Sequence, residues 1–249
     1  MKIVMNDVTL LKDSLDAING LITEATFDFS PKGLILKAID PAVVAMTTLN
    51  MLPTCFTQFE VDKDVKLTVN LDYFLEVLKR AKQSDKVIIE LLNEQGTLKV
   101  SMIGNTKKEF TVALLENPDK EQKIPVPQFE GEVIVENDVL REAVKNCQMV
   151  SDCATFHADK DKFVISAAGE LNNVMQELTK DSPSLKELTF KDKHESKYSL
   201  EYLDKIMRGD KVAENTIIRF KNDYLLEIEY KTVDKLSLAF ILAPRVDND

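Results

Sequence analysis

Lys205, Arg208 and Lys211 recur every three residues, and Arg141 and Lys145 lie four apart. On a helix, either spacing gathers positive groups on one face. In one segment that face lies away from Leu203, Ile206 and Met207, and in the other it lies opposite Leu140, Val144 and Cys147. The chemistry open to such a face is electrostatic: attraction of an anionic partner, or only solvation of the polar side of an amphipathic helix. Charge alone favours the solvated face. The four candidate helices, 9–20, 72–82, 137–150 and 199–211, carry nine basic and nine acidic residues, so the whole net charge of −10 lies outside them.

Other chemistry is thinly represented. Cys55, Cys147 and Cys153 form an odd, sparse set without a CxxC pair, which suits a reducing compartment better than a disulfide framework. His157 falls in an alternating segment and reads as a strand residue; His194, within Lys191–Glu195, reads as part of a solvated loop. With seven glycines there is no GxGxxG, GxxxxGK[ST] or GxSxG, so neither a phosphate-cradling loop nor a nucleophile elbow is visible. Asp40 and Asp152 could be proposed as an acid/base pair, but no spacing brings them together and no nucleophile or metal set accompanies them. No catalytic residue, metal or cofactor is expected. The start lacks the long apolar region of a secretory signal, and the longest apolar stretch, Leu238–Ala243, is strand-sized. An intracellular protein without a membrane segment is expected. The 44% hydrophobic content suits a globular chain of 249 residues, and the acidic balance discourages indiscriminate adhesion to nucleic acid or anionic lipid.

The elements that must position these residues occur twice. Leu10, Leu11, Leu15 and Ile18 have helical spacing, followed by an alternating strand at Glu24–Ser30, a turn at Ser30–Gly33 and a strand at Leu34–Ile39. Further strands are expected at 43–49, 55–60, 66–69, 87–92, 98–103 and 110–114, with a helix carrying Phe74, Leu75, Val77, Leu78 and Ala81 capped by Asn70 or Asp72. Sliding by about 129 positions lays Leu11 on Leu140, Leu15 on Val144, Phe74 on Leu203 and Ile88 on Ile217. Each half then holds about eight short strands and two helices, an α+β arrangement of antiparallel sheet with helices on one face. Between the halves, Glu116–Pro127 has three prolines and reads as an extended linker.

At this point the sequence resembles the proliferating cell nuclear antigen (PCNA) family of DNA sliding clamps, in its archaeal form. The resemblance rests on Gly33–Met46 (GLILKAIDPAVVAM) and on Leu242-Ala243-Pro244-Arg245, with support from Leu21–Ala25, Val69-Asn70-Leu71 and Val150-Ser151-Asp152. It implies two similar half-domains of the DNA clamp fold, 1–115 and 132–249, joined by an interdomain connecting loop at 116–131. Three chains would close into a ring with helices inside and sheets outside, and duplex DNA would pass through it without sequence preference. The implied role is that of a non-enzymatic processivity factor in DNA replication and repair. Its implied partners are DNA polymerase, flap endonuclease, DNA ligase and the clamp loader, each docking through a short peptide motif. The location would be cytoplasmic in an archaeon.

The resemblance also assigns residues. Lys12, Lys79, Arg80, Lys82, Arg141, Lys145, Lys205, Arg208 and Lys211 become candidate DNA contacts, while Glu76 departs from the basic pattern of relatives. Ile39, Val44, Ile124, Pro125, Phe129, Tyr224, Ala243 and Pro244 would wall the partner-peptide pocket. Ring closure would pair Lys108–Leu114 with Asn172–Lys180 of the next chain, with Phe110 and Val112 against Val174 and Leu178. Two alternatives stand beside the homotrimer: one subunit of a heterotrimeric or checkpoint-type clamp, and a duplicated α+β enzyme.

Overall fold

The structure is a computed structural model, and it describes residues 1–92, 96–118 and 125–245. The chain forms two compact units: 1–41, 47–124 and 232–238 make the first, and 42–46, 125–231 and 239–249 make the second. The elements run in the same order twice. The first series is β1 (Lys2–Met5), α1 (Thr9–Asn19), β2 (Glu24–Ser30), β3 (Gly33–Ile39), β4 (Ala45–Met51), β5 (Gln58–Glu60), β6 (Val65–Asn70), α2 (Leu71–Leu78), β7 (Lys86–Leu92), β8 (Thr97–Ile103) and β9 (Lys107–Leu115). The second is β10 (Val133–Glu136), α3 (Asn137–Gln148), β11 (Cys153–Ala158), β12 (Lys162–Ala168), β13 (Asn173–Thr179), β14 (Leu185–Leu188), β15 (His194–Ser199), α4 (Leu200–Ile206), β16 (Asn215–Arg219), β17 (Leu226–Thr232) and β18 (Leu236–Leu242). A 3-10 turn, Met207–Lys211, continues α4. The second helix of each series opens 129 residues apart, at Leu71 and at Leu200.

The first unit holds strands in the order β4-β3-β2-β6-β9-β8-β7-β1-β5. The ladders that join β3, β2, β6, β9, β8, β7, β1 and β5 are antiparallel, and β7 faces β8 from Lys86↔Ile103 to Leu92↔Thr97. Inward residues of the strands alternate with outward ones, as in Phe27 and Phe29 of β2. Against them lie Leu11, Leu15 and Ile18 of α1 and Phe74, Leu75 and Leu78 of α2, all buried. Phe27 meets Phe74 edge to face at 5.9 Å, a favourable aromatic geometry. Gly33 fulfils the turn expected after Ser30: φ is +133°, and a Cβ there would lie 2.2 Å from the Met51 carbonyl oxygen.

In the second unit the strand order is β14-β10-β16-β17-β18, with a separate antiparallel sheet β13-β12-β11-β15. The core is an aromatic cluster in which Phe156 makes edge contacts with Phe163, Tyr198 and Phe220. Buried Tyr230 donates its hydroxyl to Ile206 O at the end of α4 (3.3 Å). Gly209 lets the following 3-10 turn settle on that ring, since a Cβ would meet Tyr230 Cε2 at 2.4 Å.

Three local readings change. The strand expected from Val43 starts at Ala45, because Val43 takes a left-handed φ of +59° in the preceding turn. The strand expected from Cys55 is a 3-10 turn, Pro53–Cys55, followed by β5. His194 is not solvated: it opens β15, is 7% exposed, and packs on Phe190 with ring centroids 5.3 Å apart.

Candidate nucleic-acid and partner interfaces

In the first unit the basic residues gather at the end of α2. Asn70 caps its start, accepting from the Tyr73 N–H at 2.8 Å. The helix stops at Leu78, short of the expected 82, and the N–H groups of Arg80 and Ala81 turn to the carbonyls of Val77 and Leu78. Lys79 is therefore the C-cap, and Arg80 and Lys82 lie in the turn beyond it. That turn is fixed from β9: Lys108 Nζ donates to Arg80 O and to Asp85 Oδ2, both at 2.9 Å, and Asp85 Oδ2 also accepts from the Lys82 N–H at 3.1 Å. The Lys82 amide and then Lys108 hold the Asp85 carboxyl below its usual range. Lys108 was not among the candidate residues, and no local spacing marks it, since its partners are 23 and 28 residues away.

Lys79 Nζ lies 2.7 Å from Asp16 Oδ1 of α1, and Lys12 lies 4.0 Å from Asp13. Arg80 and Lys82 are exposed, and the Arg80 side chain has no ion-pair partner among the described residues. Glu76 is exposed on the same short helix.

The second unit handles its cations differently. Arg141 of α3 donates from Nε to Asp210 Oδ2 and from Nη1 to Asp138 Oδ1, both at 2.6 Å, with Nη2 also on Asp210. Buried Asn137 donates to the carbonyls of Asp210 (2.8 Å) and Ala213 (2.5 Å) and accepts from Thr216 Oγ1 (2.8 Å). Arg141 thus ties α3 to the 3-10 turn. Lys205 pairs with Glu201 at 2.8 Å and sits 5.0 Å from the Tyr202 ring centroid. Lys145 and Arg208 are exposed and make no ion pair among the described residues. Lys211 is exposed in the 3-10 turn. Cys147, on the buried side of α3, has its thiol pushed up to about 11 by burial and stays protonated.

Of the pocket candidates, Val44, Pro125, Phe129, Tyr224, Ala243 and Pro244 belong to the second unit and Ile39 to the first; Ile124 lies outside the described residues. Phe129 and Tyr224 meet edge to face at 6.3 Å, and Ala243 N–H donates to Val44 O at 2.9 Å. Arg245 N–H donates to Lys197 O of β15 at 2.7 Å, beside a polar recess lined by Thr155, Ser196, Asp223 and Pro244. Asp152 pairs with Arg245 at 3.3 Å. Among the described residues no group of three or more His, Cys, Asp or Glu could hold a metal ion, and no helix is long and apolar enough to cross a membrane.

Among the strands with an open side in the described residues are β9 and β13. β9 pairs with β8 along 107–113 but with β6 only at Leu114 and Leu115. β13 pairs with β12 alone and ends its sheet. Val112 (1% exposed) and Leu178 (6%) fill the cores of their own units, whereas Phe110 and Val174 are half-buried. Met175 (67%) and Leu171 (94%) are apolar side chains exposed on or just before β13.

Comparison with known proteins agrees with this architecture. Residues 1–120 match the family described as proliferating cell nuclear antigen, N-terminal domain. A DNA polymerase sliding clamp of Thermococcus onnurineus is 33% identical over 247 residues, spanning 99% of each chain. One from Nanoarchaeum equitans is 31% identical over 249 residues, spanning 99% of this chain and all of its own. The crystal structure of PCNA from Thermococcus kodakaraensis superposes with a TM-score of 0.91 at 29% identity, over 98% of this chain and 99% of that one. With two units of repeated element order and similarity along its whole length, the chain belongs to the PCNA family of DNA polymerase sliding clamps.

Proposed function

We propose that this chain is a processivity factor that closes into a trimeric ring around duplex DNA and tethers replication and repair enzymes, without catalysing a reaction itself. The observation that carries the reading is the full-length similarity to named sliding clamps. The nearly neutral helices within an acidic chain support it, because weak attraction to phosphate permits sliding where base readout would pin the protein. The open sides of β9 and β13 supply edges for ring closure, since unpaired strand edges invite pairing with another chain. The proposed docking site for partner peptides on the second unit is the group Val44, Pro125, Phe129, Tyr224, Ala243 and Pro244, most of them apolar as an anchor pocket requires. Polymerase, flap endonuclease, ligase and the clamp loader are its proposed occupants. The decisive experiment is polymerase processivity on primed circular and linear templates. Stimulation is expected on circles and should fade on linear DNA with free ends, from which a ring slides off. Equal stimulation on both would overturn enclosure.

A further inference from the structure

The nine candidate cations are not equivalent in their surroundings. Arg141 is fully engaged: Asp210 accepts from two of its nitrogens and Asp138 from a third. The Asp210 side chain is only 11% exposed, so withdrawing the guanidinium would strand a buried carboxylate. Lys79 is held less firmly. Its side chain is 52% exposed and that of its partner Asp16 27%, a pair of the kind whose net worth in water is about 0–1 kcal/mol. Lys145, Arg208 and Arg80 project from exposed positions with no ion-pair partner among the described residues. A polyanion approaching these helices would meet three ranks of cation: uncommitted, exchangeable and committed.

Resting on the DNA-binding reading above, we infer that phosphate contact is carried by Lys145 and Arg208, that Asp16 competes with phosphate for Lys79 and so limits affinity, and that Arg141 is a structural tie that DNA does not recruit. The acidic partners are then part of how loosely DNA is held. Each phosphate engaged by a lysine or arginine releases condensed counterions and steepens the salt dependence. A lysine that must first leave a carboxylate releases less net charge and contributes less to both affinity and slope.

The test measures binding of the full chain to a duplex oligonucleotide over a range of salt concentrations. Lys145→Gln and Arg208→Gln should each weaken binding several-fold and flatten the salt slope. Asp16→Asn should tighten binding about threefold, the worth of one exposed pair, and steepen the slope. The double variant Arg141→Gln with Asp210→Asn removes both members of the committed pair together and strands no charge. It should leave the salt slope at the parent's value, and any loss of affinity from loosening the turn that carries Arg208 should be smaller than that of Lys145→Gln. An unchanged Asp16→Asn, or a double variant that loses affinity as Lys145→Gln does, would overturn the ranking while leaving DNA binding in place. Indifference of duplex affinity to Lys145→Gln and Arg208→Gln together would overturn their assignment as the phosphate contacts, whereas a parent chain with no salt-dependent affinity for the duplex would remove the DNA-binding reading itself.

Discussion

Arg219 shows how much one residue can hold. Its guanidinium donates to Glu132 (2.8 Å), Glu227 (2.5 Å) and Glu229 (2.9 Å), joining β16, β17 and the approach to β10. Arg219→Met leaves three carboxylates facing one another at partly buried positions. Unfolding in urea should show a loss of about 3 kcal/mol, and adding Glu227→Gln should recover part of it; a loss below about 1 kcal/mol would mean solvent already screens the cluster. Glu109 offers a second test. It bridges Lys99 at 2.6 Å and Lys107 at 3.0 Å, and these two hold its carboxyl down at about 2, from an ordinary 4.5. The depressed folded value means that its contribution to stability is complete above 4.5 and is lost as pH falls towards 2. Carboxyl NMR should therefore place the Glu109 midpoint near 2, and replacing both lysines by alanine should return it towards 4.5. An ordinary midpoint in the parent chain would show that the bridges do not persist in solution. The Arg219 cluster was partly legible in sequence, because Glu227 and Glu229 alternate with Leu226 and Ile228 on one strand. The burial of His194 was not, because the charged neighbours Lys191, Asp192, Lys193 and Glu195 hid a side chain that packs on Phe190.

At the scale of elements, sequence patterns found helices and strands well and their ends poorly. Apolar residues at helical spacing located α1 and α2, and the 129-residue offset carried the reading to α3 and α4, since burial of one face dictates that spacing in each copy. The same pattern extended α2 to residue 82, whereas it ends at Leu78. What ends it is a long-range contact, the Lys108 ammonium on Arg80 O with Asp85 closing the turn. No local rule could supply that. Lys108→Ala should therefore loosen the turn that presents Arg80 and Lys82 while leaving the core intact. Faster amide hydrogen exchange is expected at Lys82 and Asp85, with protection at Phe74 and Leu75 unchanged. Unaltered exchange in the turn would mean that the Asp85 side chain and the backbone hold it unaided. Gly209 belongs to the same class: its role follows from the Tyr230 ring against it, and Gly209→Ala should cost about 1–3 kcal/mol by overpacking, read as a lowered midpoint in thermal unfolding.

For the whole molecule, the duplication was the most legible feature, because a repeated order of elements leaves a constant offset wherever both copies bury equivalent faces. The observed series repeat that order through nine strands and two helices each. Less legible was which apolar residues serve a unit's own core and which remain for another chain, because alternation marks a buried side without saying what buries it. Val112 and Leu178 are spent inside their units, which leaves Phe110, Val174 and the exposed Met175 near the two open edges. Ring closure is therefore best tested at Met175, where a substitution strands nothing in the isolated chain. If β13 receives β9 of a neighbour, Met175→Asp introduces a charge at the joint that must be desolvated or repelled. Light scattering should give three chains per particle for the parent and one for the variant, with the far-ultraviolet circular dichroism of the two the same. A trimer that survives Met175→Asp, and also survives Val174→Asp, would exclude the β13 edge as the closing surface. A parent chain that is monomeric at micromolar concentration would instead require a second, different chain to complete the ring.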